Sequence, residues 1–116
     1  MTEEVKVDLA YVEEIFESRT ECVHFLLLVQ AEFQEALGNI CQSIQEQNLY
    51  SLRKTLHNVD THLEMIGATE VQDFLRQVKG KVAGLELNSK QKQDLAQKTE
   101  GYFKALLHII STEIQK

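Results

Sequence analysis

The sequence predicts an all-α protein, an antiparallel up-down four-helix bundle with an additional short N-terminal helix. Three observations carry that expectation. The 116 residues contain no proline and only five glycines, while Leu, Gln, Glu, Lys and Ala abound, so little in the chain interrupts long helices. Apolar residues recur at three- and four-residue steps in successive stretches, which is the period of one helix face. The connections left between those stretches are short, and short connections make consecutive helices antiparallel neighbours. At this length one core serves the whole chain, so a single domain over residues 1–116 is expected.

Each element has its own signals. Asp8 is placed to cap a short first helix carrying Leu9, Val12, Ile15 and Phe16, which closes one end of the bundle as a lid. Ser18-Arg19-Thr20-Glu21 has the capping-box pattern, and from there Cys22, Leu26, Val29, Phe33, Leu37, Ile40 and Ile44 form a stripe that runs to about Gln47. Gly38 inside that stripe points to a close helix contact. Asn48 caps the third helix, where Leu49, Leu52, Leu56, Val59, Leu63 and Ile66 recur with steps of 3, 4, 3, 4 and 3 until Gly67 stops the pattern. A fourth helix starts at about Thr69 with Val71, Phe74, Leu75, Val78 and Val82 inward, and Gly80 and Gly84 mark its end. Asn88 with Gln91 caps the last helix, whose inner face uses Leu95, Tyr102, Leu106 and Ile109, widened by Phe103, Ile110 and Ile114.

Composition excludes several functions. A net charge of -6, with the basic residues in no long run, argues against nucleic acid, whose affinity comes from clustered Lys and Arg. The acidic, polar MTEEVKVD start and the lack of a stretch near the roughly 20 apolar residues of a membrane span argue against a leader or anchor, so a cytoplasmic protein is expected. Cys22 and Cys41 fall on one helix, too far apart to bridge, and read as buried free thiols in a reducing compartment. Glu21 and His24 have the Glu-x-x-His spacing of a di-iron helix, but such sites need two copies and further carboxylates, so no metal or cofactor is expected. His24 and His108 lie in apolar segments and read as interior or boundary residues. His62 reads as a flank or partly buried residue. No Cys-x-x-Cys, phosphate-cradling glycine loop or Ser-His-Asp arrangement is legible.

His57 is different. Within the stretch LRKTLHNVDTHLEMIGATEV, Leu56, Val59 and Leu63 point inward, leaving His57 on the flank among Arg53, Lys54, Asp60, Thr61 and Glu64. A solvent-facing imidazole, with an ordinary pKa of about 6.5, is largely neutral at cellular pH and offers a ring lone pair to an electrophile. Around it the sequence resembles the histidine-containing phosphotransfer (HPt) domains. In that family an exposed His on the second long helix stands in a pattern close to H-x-L-K-G, with Gly-Ala ten and eleven residues beyond. Here Val59 takes the apolar position and Gly67-Ala68 the expected distance. Val7-Asp8-Leu9-Ala10-Tyr11-Val12 looks like the family's opening helix, Gln45-Glu46-Gln47-Asn48 like the loop before its histidine helix, and the likeness extends over about residues 7–114.

The resemblance implies a monomeric phosphorelay intermediate, a phosphoryl carrier without catalytic machinery of its own. His57 would be the phosphoacceptor, and the partners would be response-regulator receiver domains and a hybrid sensor histidine kinase. The Mg²⁺ and the acid cluster belong to the receiver. Arg53, Lys54, Asp60, Thr61 and Glu64 would form the docking surface, and Gly67 the structural turn. Two positions depart from the family's pattern, because its lysine is Asp60 here and its glycine is Thr61. Thr61 adds bulk and a hydroxyl beside the imidazole, which either tightens docking or blocks it. Asp60 puts an anion where a cation stands, at a cost to a phosphoryl group about 4 Å away of about 1 kcal/mol in water and several at an effective dielectric near 20. Arg53 and Lys54 offset this, or else the carboxylate accepts a hydrogen bond from one ring nitrogen and leaves the other free. The alternatives are a degenerate HPt-like domain that binds receiver or kinase partners without phosphotransfer, and a metal- or cofactor-binding bundle.

Overall fold

A computed structural model describes residues 5–84 and 86–116 of the chain; the first four residues of the acidic N-terminal stretch, and Leu85, lie outside them. Five helices follow in chain order: α1 (Ala10–Ile15), α2 (Arg19–Glu46), α3 (Leu49–Met65), α4 (Thr69–Gly84) and α5 (Ser89–Gln115). Helices α2, α3 and α5 begin where a short polar side chain takes one of the first free backbone N–H groups. Asn48 accepts from the amide of Ser51 at 3.1 Å. Asn88 and Gln91 form both halves of a capping box, at 2.8 and 2.9 Å. Ser18 accepts from the Glu21 amide, but the Glu21 carboxylate reaches back to Glu17 rather than to Ser18, so that box is displaced by one residue. Asp8 accepts from the Ala10 amide at 3.0 Å, but the N-cap position is Leu9, so the expected cap is one residue out; α1 begins after Leu9 and ends before Phe16, and of its expected stripe Val12 is buried while Ile15 is exposed.

The C-termini use two left-handed residues. Gly67, with φ of 66°, ends α3, and the amides of Gly67 and Ala68 bond to the carbonyls of Glu64 and Leu63, the paired bonds of a Schellman turn. A β-carbon at Gly67 would lie 3.0 Å from the Asp8 Cβ, while the Asp8 amide donates to the Ile66 carbonyl at 2.8 Å. The lead-in to α1 is therefore strapped across the turn between α3 and α4. At the end of α2, Gln47 takes φ of 50° without being glycine. Its side chain donates to the Val82 carbonyl and accepts from the Leu87 amide, joining that end of α2 to the last turn of α4 and to the connection that follows it.

Helix α2 packs on α3 and on α5, α3 packs on α4, and α4 packs on α5. The core lies within that closed series of neighbours, with Phe33 of α2 and Phe103 of α5 meeting edge to face at 6.0 Å. Phe74 of α4 stacks on Tyr102 of α5 at 4.4 Å. Val12 is buried, so α1 contributes to the same core from its end. Among the described residues no helix is long and apolar enough to cross a membrane.

Several expectations change. The inner face of α5 is Leu95, Thr99, Phe103, Leu106 and Ile110, not a stripe through Tyr102 and Ile109, which are only partly buried. Thr99 accounts for the rotation, because its hydroxyl donates to the Leu95 carbonyl at 2.7 Å and so enters the core already satisfied. Gly38 faces solvent, with no atom within 4 Å of where a β-carbon would stand, so no helix approaches it closely. Gly80 lies inside α4 rather than at its end. Cys22 is buried as expected, but Cys41 is only half-buried, and burial followed by the nearby Glu100 charge pushes its thiol up from the ordinary value. His24 and His108 are exposed, because the apolar runs that hold them turn one side outward, and Leu27 and Leu28 stand exposed on that side of α2.

Candidate functional site

Helix α3 buries Leu52, Val59, Leu63 and the adjoining Ile66, and the 3.6-residue turn then carries His57 to the side away from that core. Its imidazole is exposed and, among the described residues, has no hydrogen-bond partner. It lines an open groove of about 480 Å³ between α3 and α4. Leu56, Leu63 and Leu75 give the groove its apolar surface, and the polar lining is His57, Arg53 and Asp60 from α3 with Gln72, Arg76 and Lys79 from α4. The steps of 4 and 3 between residues 72, 76 and 79 put these three on one face of α4.

The charges of the groove are unevenly matched. Arg76 pairs with Asp73 at 2.8 Å, but both partners are exposed, and such pairs are worth little. Among the described residues, Arg53 and Lys79 make no ion pair. The lining carboxylate, Asp60, is engaged elsewhere. Gln72, only 6 % exposed, donates from Nε2 to Asp60 Oδ1 at 3.1 Å and to Glu64 Oε2 at 2.9 Å. One amide thus ties two carboxylates of α3 to α4, using both of its N–H bonds. Each bond contributes on the order of 1 kcal/mol, since the carboxylates themselves remain exposed. An anion held against His57 would meet three cations, Arg53, Arg76 and Lys79, and one carboxylate, Asp60, whose Oδ1 accepts from Gln72 of α4.

The residues read from sequence divide between two flanks of the imidazole. Arg53 and Asp60 line the groove, with Glu64 one turn beyond on the same side. Lys54 and Thr61 are exposed on the other flank, outside the groove's lining. Gly67 sits at the turn that ends α3, away from the imidazole. His62 is partly buried and faces α2, where its Nδ1 lies 2.5 Å from Glu32 Oε2 and its ring meets Phe25 edge-on at 5.5 Å. It links two helices on the side away from the groove.

Gln72, Arg76 and Lys79 were missed from sequence. Their register was legible beside the apolar Val71, Leu75, Val78 and Val82, yet polar residues next to an apolar stripe ordinarily mark a solvated surface. Only the packing of α4 on α3 turns that surface toward His57. Among the described residues no group of three or more His, Cys, Asp or Glu is arranged to hold a metal ion. Comparison with protein-family models, with curated proteins and with solved structures gives no match for this chain.

Proposed function

We propose that the chain is a histidine phosphotransfer protein of a two-component phosphorelay, in which His57 takes a phosphoryl group from the aspartate of one receiver domain and passes it to another. The observation that carries this reading is the exposed, unpartnered imidazole of His57 in a groove shared with Arg53, Arg76 and Lys79. A ring nitrogen attacks phosphorus, the N–P bond forms as the acyl-phosphate P–O bond breaks, and the receiver recovers its carboxylate. The other ring nitrogen keeps its proton, and the three cations face the new negative charge. This chain supplies a positioned nucleophile and a docking face; the acid cluster and the Mg²⁺ belong to the receiver.

The resemblance around His57 and Gly67-Ala68 supports the same reading. The fold that goes with it is an antiparallel up-down bundle of α2 to α5 capped by α1, in one domain, and the closed series of neighbours α2, α3, α4 and α5 is its support. Receiver domains and a hybrid sensor histidine kinase are the partners, docking over Arg53, Lys54, Asp60, Thr61 and Glu64 on a monomeric, cytoplasmic protein. The two departures from the family pattern are met differently. The cation missing at Asp60 is replaced from α4 by Arg76 and Lys79, whereas Thr61 remains exposed beside the imidazole, and it favours a second reading, in which the domain binds a receiver without accepting its phosphoryl group.

Mixing the purified protein with phosphorylated receiver domains and following label into it tests both readings, with His57→Gln as control. Transfer of an acid-labile, base-stable label to the wild type and a loss of at least a hundredfold in the variant are expected. Binding without transfer across the receiver panel would leave the second reading.

A further inference from the structure

We infer that Gln72 is a positioning residue for the His57 imidazole, acting through Asp60; this rests on the phosphotransfer reading and extends it to a residue on another helix. Asp60 lies three residues after His57, and helical side chains lean toward the N-terminus, so the natural reach of its carboxylate is back over the imidazole. There it would act as hydrogen-bond acceptor to the ring and as an anion beside the incoming phosphoryl group. The structure shows the carboxylate turned to α4 instead, with Gln72 Nε2 donating to Asp60 Oδ1 at 3.1 Å and to Glu64 Oε2 at 2.9 Å. Gln72 is itself buried against α3, which fixes its amide on that side. Its two N–H bonds are divided between the two carboxylates, so neither acid is released without breaking a bond to a buried amide.

The consequence is electrostatic. The charged groups around His57 are Arg53, Asp60 and Glu64 on α3 and Arg76, Lys79 and Asp73 on α4, with Asp73 on Arg76 and with Lys54 of α3 on the other flank of the ring. While Gln72 holds Asp60 and Glu64, the imidazole keeps its lone pair for phosphorus and faces mainly cations. Loss of the amide frees the Asp60 carboxylate to pair with the ring, which stabilises its protonated, non-nucleophilic form.

The test is a side-chain ¹H–¹⁵N titration of His57 in the wild type, Gln72→Leu, Asp60→Asn and the double variant, with transfer rates measured alongside. Gln72→Leu is expected to raise the His57 midpoint by about half a pH unit or more, as an approaching carboxylate does, and to slow transfer several-fold. Adding Asp60→Asn to Gln72→Leu is expected to reverse both effects, which simple damage to packing would not allow. Gln72→Met, closer in shape, serves the same comparison if Leu disturbs the fold. An unmoved midpoint in both Gln72 variants, or an effect that persists when Asp60 is neutralised, overturns the role assigned to Gln72. A midpoint that moves as described, with no transfer in any of the proteins, overturns the phosphorelay reading and leaves Gln72 as the residue that sets the state of His57.

Discussion

At the scale of single residues, Gly67 shows how local and distant demands meet at one position. Its φ of 66° is what a Schellman turn requires, and Asp8 crosses so close that a β-carbon would stand 3.0 Å from the Asp8 Cβ. Gly67→Ala therefore brings two costs, about 1 kcal/mol for alanine in the left-handed region and a comparable amount for displacing the strap. Urea unfolding is expected to show a loss of about 2 kcal/mol; a loss below about 0.5 kcal/mol would mean that the turn and the strap relax freely. The stop at Gly67 was legible in the sequence, because a glycine after a clean apolar stripe is a local signal. The contact with Asp8 was not, since nothing near either residue encodes a pairing across so much chain. The same holds for His57: its exposure followed from the α3 stripe, while the cations opposite it came into view only with α4 in place.

At the scale of elements, helix starts were the most legible feature and helix faces the least. Asn48 and Asn88 cap as their sequence patterns indicate, because an N-cap is an interaction among residues three apart. The face of α5 was legible in part: Leu95 and Leu106 lie inward as expected, but its centre runs through Phe103 and Ile110 rather than Tyr102 and Ile109, and Thr99, whose hydroxyl bonds within the helix, carries no apolar signal. The caps also differ in strength. Asn88→Ala removes a reciprocal pair and is expected to cost about 1 to 2 kcal/mol in thermal or urea unfolding. Glu21→Ala removes only the displaced half of the box at Ser18 and is expected to cost less than about 0.5 kcal/mol. Equal losses would show that the geometry of the two boxes has no energetic weight.

At the scale of the whole molecule, an acidic protein of net charge -6 carries its groove cations on adjoining faces of α3 and α4. Electrostatic steering acts on association rate and is screened by salt, with a Debye length of about 8 Å at physiological ionic strength. Arg76→Ala combined with Lys79→Ala is expected to slow association with a receiver domain by about tenfold in stopped-flow measurements at low salt, and the difference should disappear near 0.5 M salt. A difference independent of salt would assign the two residues to shape rather than charge. Net charge was readable from composition; its distribution was not, because it depends on which helices face one another. The strap at Asp8 has a further consequence. Asp8 meets Ile66 at the end of α3, Arg19 bonds the Glu113 carbonyl near the end of α5, and Leu9 and Glu113 line one cleft, so the first and last described segments meet at one pole of the molecule. His57 lies nine residues up α3 from Ile66, about 14 Å at the helical rise. A domain joined through the segment ahead of the Asp8 strap would thus leave the bundle about 14 Å of helix from the histidine, and the linker length would set the effective concentration at which it meets the imidazole.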